Sequence, residues 1–203
     1  MRQFVLVGHD APTDPEFSLN DLPGAGRVDV LCRCVTAAFL LSHGIRESTR
    51  VWLVLGDSLS IRFEGRDLRR LNPDERSTAA LIRGALEERE EAIGHMDAES
   101  SPGVFVSRRG LEGVLDEVIG ESASSDSNAV ITLREEGAPI TDLDPPADPV
   151  FVLSDDRDFT TRESDLLAER TDERVRLGPQ ALHANHAIAV AHNYLDTAGF
   201  ERY

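Results

Sequence analysis

Short, almost entirely apolar runs alternate along this chain with stretches of helical period, and that alternation limits the fold more than any other feature. Gln3–Val7, Val51–Leu55, Ala129–Leu133 and Val150–Leu153 are almost wholly apolar, so each is expected to be a strand covered on both sides. Between them, helices are read from apolar residues at i, i+3 and i+4. Val28, Leu31, Cys32, Val35, Ala38 and Phe39 share one face of a helix predicted over residues 27–43 and stopped at Gly44. Asn72-Pro73-Asp74-Glu75 predicts a helix start with Asn72 as N-cap and Pro73 in the first turn, followed by Ala79, Ile82 and Leu86. Leu111, Val114, Leu115 and Val118 mark another helix, residues 161–169 a short one with Leu166 and Leu167 inward, and Ala187, Ile188, Ala191, Tyr194 and Leu195 the last. Ser60–Glu64 alternates as a half-exposed strand would, and Val104–Val106 and Val175–Leu177 read as short strands. Ser122–Ser127 is expected to be a loop, and Gly137–Pro149 a Pro- and Asp-rich connector. With no repeat and no domain linker, the expectation is a single α/β domain over residues 1–203, its mostly parallel sheet covered by helices.

Charge narrows the environment. The formal net charge is -16, and all 21 basic residues are arginine. Such a surface fits a cytoplasm rich in salt, the expected setting of a halophilic protein. At ~1 M salt the Debye length is roughly 3 Å, so the acidic surface does not exclude RNA, but RNA must then be held by local arginines and shape. No apolar run approaches the ~20 residues of a membrane span, and the first residues lack the long apolar region of a signal peptide, which predicts a cytoplasmic protein without membrane contact. Cys32 and Cys34 are spaced C-x-C, and on a helix they point about 200° apart, so they are expected to be buried thiols that do not pair with each other.

In a parallel sheet, ligands bind beyond the carboxyl ends of the strands. Three such ends look alike here: Leu133-Arg-Glu-Glu-Gly137, Leu153-Ser-Asp-Asp-Arg-Asp158 and Leu177-Gly-Pro-Gln-Ala-Leu182. None carries a phosphate loop, a nucleophile elbow or a zinc-protease helix. Three loops each led by leucine can bracket an adenosine-sized ligand through backbone groups. The Gly24–Arg33 segment supplies Arg27, suited to a phosphate or carbonyl oxygen, and Asp29, which reads either as a contact to an imide edge or proton or as an i,i+4 partner of Arg33. Arg62, Arg66, Arg69 and Arg70 form either a solvated face or a local RNA footprint. His183 and His186 have no third ligand at a suitable spacing, so no metal site is expected; His183 and Asn185 read as helix caps or partner-facing groups. Asp155, Asp156 and Asp158 read as solvated acid.

Three stretches, Phe4–Arg46, Ile61–Arg83 and Val175–Asp196, resemble the archaeal tRNA (pseudouridine-54-N1)-methyltransferases, the TrmY family of the SPOUT class. The resemblance implies a C-terminal trefoil knot, a homodimer, S-adenosylmethionine as cofactor, and methylation of N1 of a pseudouridine in the tRNA T-loop. It places cofactor contacts at Leu133, Ser154, Leu177, Gly178, Pro179, Gln180, Ala181, Leu182 and Ala187, and the chemistry at Arg27 and Asp29. The family commonly leads its second loop with glycine, where this chain has Ser154, and carries cysteine where this chain has Ala187. The same resemblance leaves two other functions open: N1-methylation of a ribosomal pseudouridine, and RNA binding by a knotted protein without catalysis.

Overall fold

The computed structural model describes every residue except Arg70, His95 and 123–128; it therefore leaves out Arg70 of the arginine cluster and most of the expected Ser122–Ser127 loop. In chain order the elements are β1 (Arg2–Gly8), α1 (Val28–Phe39), β2 (Leu40–Leu41), β3 (Gly44–Ile45), β4 (Thr49–Leu55), β5 (Leu59–Glu64), α2 (Glu75–Glu87), β6 (Ala98–Ser101), β7 (Val104–Ser107), α3 (Leu111–Ser122), β8 (Val130–Pro139), β9 (Val150–Ser154), α4 (Thr161–Arg170), β10 (Glu173–Arg176) and α5 (Ala184–Asp196). Eight strands form one sheet in the order β10-β8-β9-β1-β4-β5-β7-β6. From β10 through β4 every pairing is parallel, and from β4 to β6 every pairing is antiparallel.

The pleat explains the two-sided core. Along β1, Phe4 and Leu6 point toward α1, α2 and α5, while Val5 and Val7 join Trp52, Val152 and the apolar residues of α3 and α4. Central strands are apolar on both faces because both faces are covered. Cys32 and Cys34 are fully buried and unpaired, as their spacing predicts, and burial pushes the Cys32 thiol up to about 12. No helix among the described residues is long and apolar enough to cross a membrane.

The structure corrects several sequence expectations. Helix α1 ends at Phe39, because Leu40 turns to extended backbone and pairs with Ile45; Gly44 belongs to that small hairpin and does not cap the helix. The N-cap of α2 lies two residues beyond the expected one, since the Asp74 carboxylate accepts from Ser77 N at 2.8 Å and so serves as cap in place of Asn72. β5 is an interior strand rather than a half-exposed one: β7 pairs on its other side, and the Ser60 and Ser107 hydroxyls meet at 2.8 Å. The edge strand β6 has no apolar alternation to betray it. β8 reaches into the expected connector, to Pro139. Its ladder with β10 passes from Thr132↔Arg174 directly to Ala138↔Val175, so residues 133–137, although extended, bulge out of that ladder within β8. Gly137 closes that bulge against the backbone of Val175, where an added Cβ would lie 2.5 Å from the carbonyl carbon.

The C-terminal helix is fastened to α1 and β1 through His192. Its Nε2–H donates to the Ala38 carbonyl at 3.0 Å, its Nδ1 accepts from Arg2 at 3.2 Å, and its ring meets Phe4 edge-on. Burial first, then the positive charges of Arg46 and Arg2, lower its pKa to about 4. The ordinary value is ~6.5, so the unfolded chain takes up this proton first. His192 therefore contributes stability above pH ~6.5 that is lost as pH falls toward 4, a change on the order of 3 kcal/mol. Denaturation of the wild type and of His192→Gln between pH 7 and 4 is expected to give curves that converge as pH falls; parallel curves would contradict this role.

Candidate functional site

Because β10, β8, β9 and β1 run parallel, their carboxyl ends open on the same end of the sheet. There the loops after β9 and β10, the excursion at residues 133–137 and the start of α5 enclose a cleft of about 450 Å³, within the range of small-molecule sites. Leu133, Ser154, Leu177, Gly178, Pro179, Gln180, Ala181, Leu182 and Ala187 all line it, so the structure brings together every residue at which the family resemblance implies a cofactor contact.

The cleft's walls are rich in unused backbone. Residues 177–183 are neither helix nor strand. Among the described residues, the amides of Gly178, Gln180, Ala181 and Leu182 make no backbone hydrogen bond. Ser154 adds a buried hydroxyl without a partner. The Ser154 hydroxyl, withdrawn from water without a partner, calls for a ligand or ordered water, while residues 180–182 are exposed and their amides stand open to whatever enters the cleft. Gly178 is not required by the protein's own packing: an added Cβ would meet only the Gln180 carbonyl at 3.8 Å. Any pressure for glycine there comes from what enters the cleft.

The other wall comes from β1. In register, Val7 lies beside Ser154, and Asp155 N donates to the Val7 carbonyl at 3.0 Å. The loop after β1 therefore leaves beside the loop after β9. Two charge clusters join them. In the first, the Asp155 carboxylate accepts from His9 N (2.8 Å), His9 Nδ1 (2.9 Å) and Arg157 N (3.0 Å), while His9 Nε2 faces Glu163 at 3.0 Å. Burial works against charge on His9, but the hydrogen bonds and charges of Asp155 and Glu163 outweigh it and raise the pKa. An imidazolium donates on both sides, which is what two carboxylates require.

In the second cluster, Gly26 and Arg27 both have left-handed backbone, and Gly26 packs where a Cβ would strike the Asp10 carbonyl. This turn sets Arg27 at the start of α1. Its Nε and Nη2 grip the Asp29 carboxylate at 3.0 and 3.2 Å, and its Nη1 donates to Asp156 at 2.6 Å. Asp29 also accepts from Arg33 at 2.9 Å, and Arg33 reaches Glu75 of α2. The i,i+4 reading of Asp29 is thus present, but in a buried form rather than at the surface. Burial disfavours the Asp29 anion, yet hydrogen bonds from Arg27 and Arg33 prevail and hold its pKa below the ordinary range. Asp156 lines the cleft, so its bond to Arg27 carries the two sequence-assigned residues to the cleft mouth.

The arginine cluster is not one surface. Arg62 lies over the Trp52 and Phe105 rings, 5.4 and 4.4 Å from their centroids, and pairs with Glu64 and Asp97. Arg66 and Arg69 are exposed. Arg66 follows β5, whose end pairs with Arg50 at the start of β4, away from the cleft end of the sheet. His183 occupies the N-cap position of α5 without a side-chain cap bond, and its ring meets His186 edge-on. No group of three or more potential metal ligands occurs among the described residues. His9, Asp156 and Glu163 were not singled out from sequence as site residues; their contacts with one another and with Arg27 span more than a hundred positions, and no local spacing announces them.

Residues 1–200 match the family model described as "Putative SAM-dependent RNA methyltransferase". The chain is 68% identical to the tRNA (pseudouridine(54)-N(1))-methyltransferase of Haloarcula marismortui and 65% identical to that of Haloferax volcanii, each over the full length of both chains. It is 42% identical to the enzyme of that name from Thermococcus gammatolerans, covering 97% of this chain and 98% of the other. The solved structure of Archaeoglobus fulgidus Nep1 bound to S-adenosylhomocysteine is similar in fold, with a TM-score of 0.65 at 15% identity over 96% of each chain. The chain belongs to the tRNA (pseudouridine(54)-N(1))-methyltransferase family.

Proposed function

We propose that this protein transfers the methyl group of S-adenosylmethionine to N1 of pseudouridine 54 in tRNA, giving 1-methylpseudouridine. The observation that carries the reading is the cleft: Gly178, Gln180, Ala181 and Leu182, whose amides make no backbone hydrogen bond, and Ser154, with its unpartnered hydroxyl, line a space of nucleoside size. That donor set fits an adenosyl group, whose ring and ribose offer several acceptors and no strong charge. Leu133, Leu177 and Ala187 supply apolar walls, and the run Gly178, Pro179, Gln180, Ala181, Leu182 supplies main-chain contacts.

The bound sulfonium supplies an already electrophilic methyl, so the protein's part is to align N1 with it and to manage the N1 proton. A guanidinium has five N–H donors, and Asp29 and Asp156 engage three of Arg27's, which leaves two for a phosphate or a uracil oxygen that gains charge. Asp29 acts through Arg27: ionised and gripped by two arginines, it fixes the guanidinium and is not the proton acceptor.

Further features belong to the same reading. The bulge at residues 133–137, pressed onto Val175 by Gly137, supports a trefoil knot through which the chain passes into α5. The exposed side of α5, with His186, Ala189 and Asn193 beside Leu182, supports a homodimer. Arg66 and Arg69 are outer contacts for tRNA beyond the nucleotide in the cleft, while Arg62 belongs to its ion network. We assign the whole chain to one domain acting in a salt-rich cytoplasm.

Incubation at molar salt with S-adenosylmethionine and tRNA carrying pseudouridine 54 is expected to add 14 Da (~14) to that nucleoside by mass spectrometry, with ribosomal RNA unmodified; methylation of ribosomal RNA alone would overturn the substrate, and binding without methylation the activity. Gly178→Val is expected to fold normally and to weaken S-adenosylmethionine binding at least ~100-fold by calorimetry, because its branched side chain projects into the cleft. Retained affinity would remove the backbone run from the site.

A further inference from the structure

The reaction proposed above must remove the N1 proton, and Asp29 is committed elsewhere. The carboxylates and histidine that line the cleft are Glu135, Glu136, Asp155, Asp156, Asp158 and His183. Asp155 already accepts three hydrogen bonds, from two His9 nitrogens and from Arg157 N. Glu135, Glu136, Asp158 and His183 make no hydrogen bond or ion pair with the Gly24–Arg33 segment among the described residues. Asp156 is different. Its Oδ2 is fixed by Arg27 at 2.6 Å, and its Oδ1 has no hydrogen bond among the described residues. One oxygen is anchored to the arginine assigned to the nucleotide, and the other is left to accept.

We propose that Asp156 is the proton acceptor for N1–H, an assignment that rests on the methyltransferase reading. As N1 forms its bond to the methyl carbon, the carbon–sulfur electron pair stays on sulfur as a neutral thioether, and the N1 proton passes to Asp156 Oδ1. The N–H pair remains on nitrogen, so the uracil ring ends neutral. The proton then leaves to solvent, since the Asp156 side chain is 30% exposed. A carboxylate is a weak base toward a resting imide but a competent one toward a nitrogen acquiring a fourth bond, so transfer accompanies methylation rather than preceding it. Arg27 thereby positions the nucleotide and its base through one guanidinium.

The test is single-turnover methylation of pseudouridine-containing T-loop RNA at molar salt from pH 6 to 9, with S-adenosylmethionine affinity by calorimetry and RNA affinity by filter binding. The wild type is expected to be flat across this range. Asp156→Asn is expected to be about 100-fold slower at pH 7 and to recover about tenfold per pH unit as hydroxide replaces the carboxylate, with both affinities within about twofold of wild type. Asp156→Glu is expected to regain part of the rate and the flat profile. A slow Asp156→Asn with a flat profile would reduce Asp156 to a partner of Arg27, and an unchanged rate or a loss explained by weaker binding would equally overturn the assignment. A pH-dependent loss in His183→Ala, with Asp156→Asn unaffected, would move the base to the third loop. A wild type that binds S-adenosylmethionine but methylates nothing would instead overturn the function itself.

Discussion

Everything at the site depends on the parallel pairing of β1 with β9. That pairing sets Val7 beside Ser154 and sends two loops, far apart in sequence, out of the same edge of the sheet. Parallel neighbours must be joined by a crossover, so their carboxyl ends share one end of the molecule. One loop then brings His9 and Arg27, the other Ser154, Asp155 and Asp156, and the bonds between them follow from proximity. An antiparallel β9 would have placed the same residues at opposite ends of the sheet.

Two kinds of recognition meet at this edge. The side formed by residues 133–137 and 177–182 offers backbone, with little in its own packing to consume those amides. The side formed by residues 24–33 and 155–158 offers charge, with Asp29, Asp155 and Asp156 each set beside an arginine or histidine. In a chain with net charge -16, local pairing is what keeps a cationic group available to an anionic polymer. Arg27 illustrates the balance: enough partners to hold its plane, and N–H groups still unspent.

Much of the fold was legible because apolar patterning reflects burial directly. The runs at Phe4–Val7, Val51–Leu55 and Val150–Leu153 are buried strands, and the stripe from Val28 to Phe39 is the buried face of α1. The loop after β9 was legible too, since Ser154 stops an apolar run, whereas Leu133 proves to be interior to β8, whose continuation to Pro139 carries no apolar run. What escaped was anything decided by a distant neighbour. β6 lacks alternation because its pairing partner, β7, defines it. Helix α1 ends early because Leu40 finds Ile45. Arg62 reads as a free surface cation until Trp52 and Phe105 are seen beneath it, and Asp156 reads as solvated acid until Arg27 is brought across to it. Single residues of these types carry no local signal for such partners.

The central claim is that one ligand is gripped at once by main-chain groups of three loops that only the sheet brings together. Amide hydrogen exchange, followed at molar salt with and without S-adenosylmethionine, measures this most directly. Protection is expected together at Gly178 and residues 180–182, at the 133–137 bulge and at Ser154–Asp156, with the strands β4 and β5 unchanged. Protection confined to one loop, or none at saturating ligand, would contradict the account.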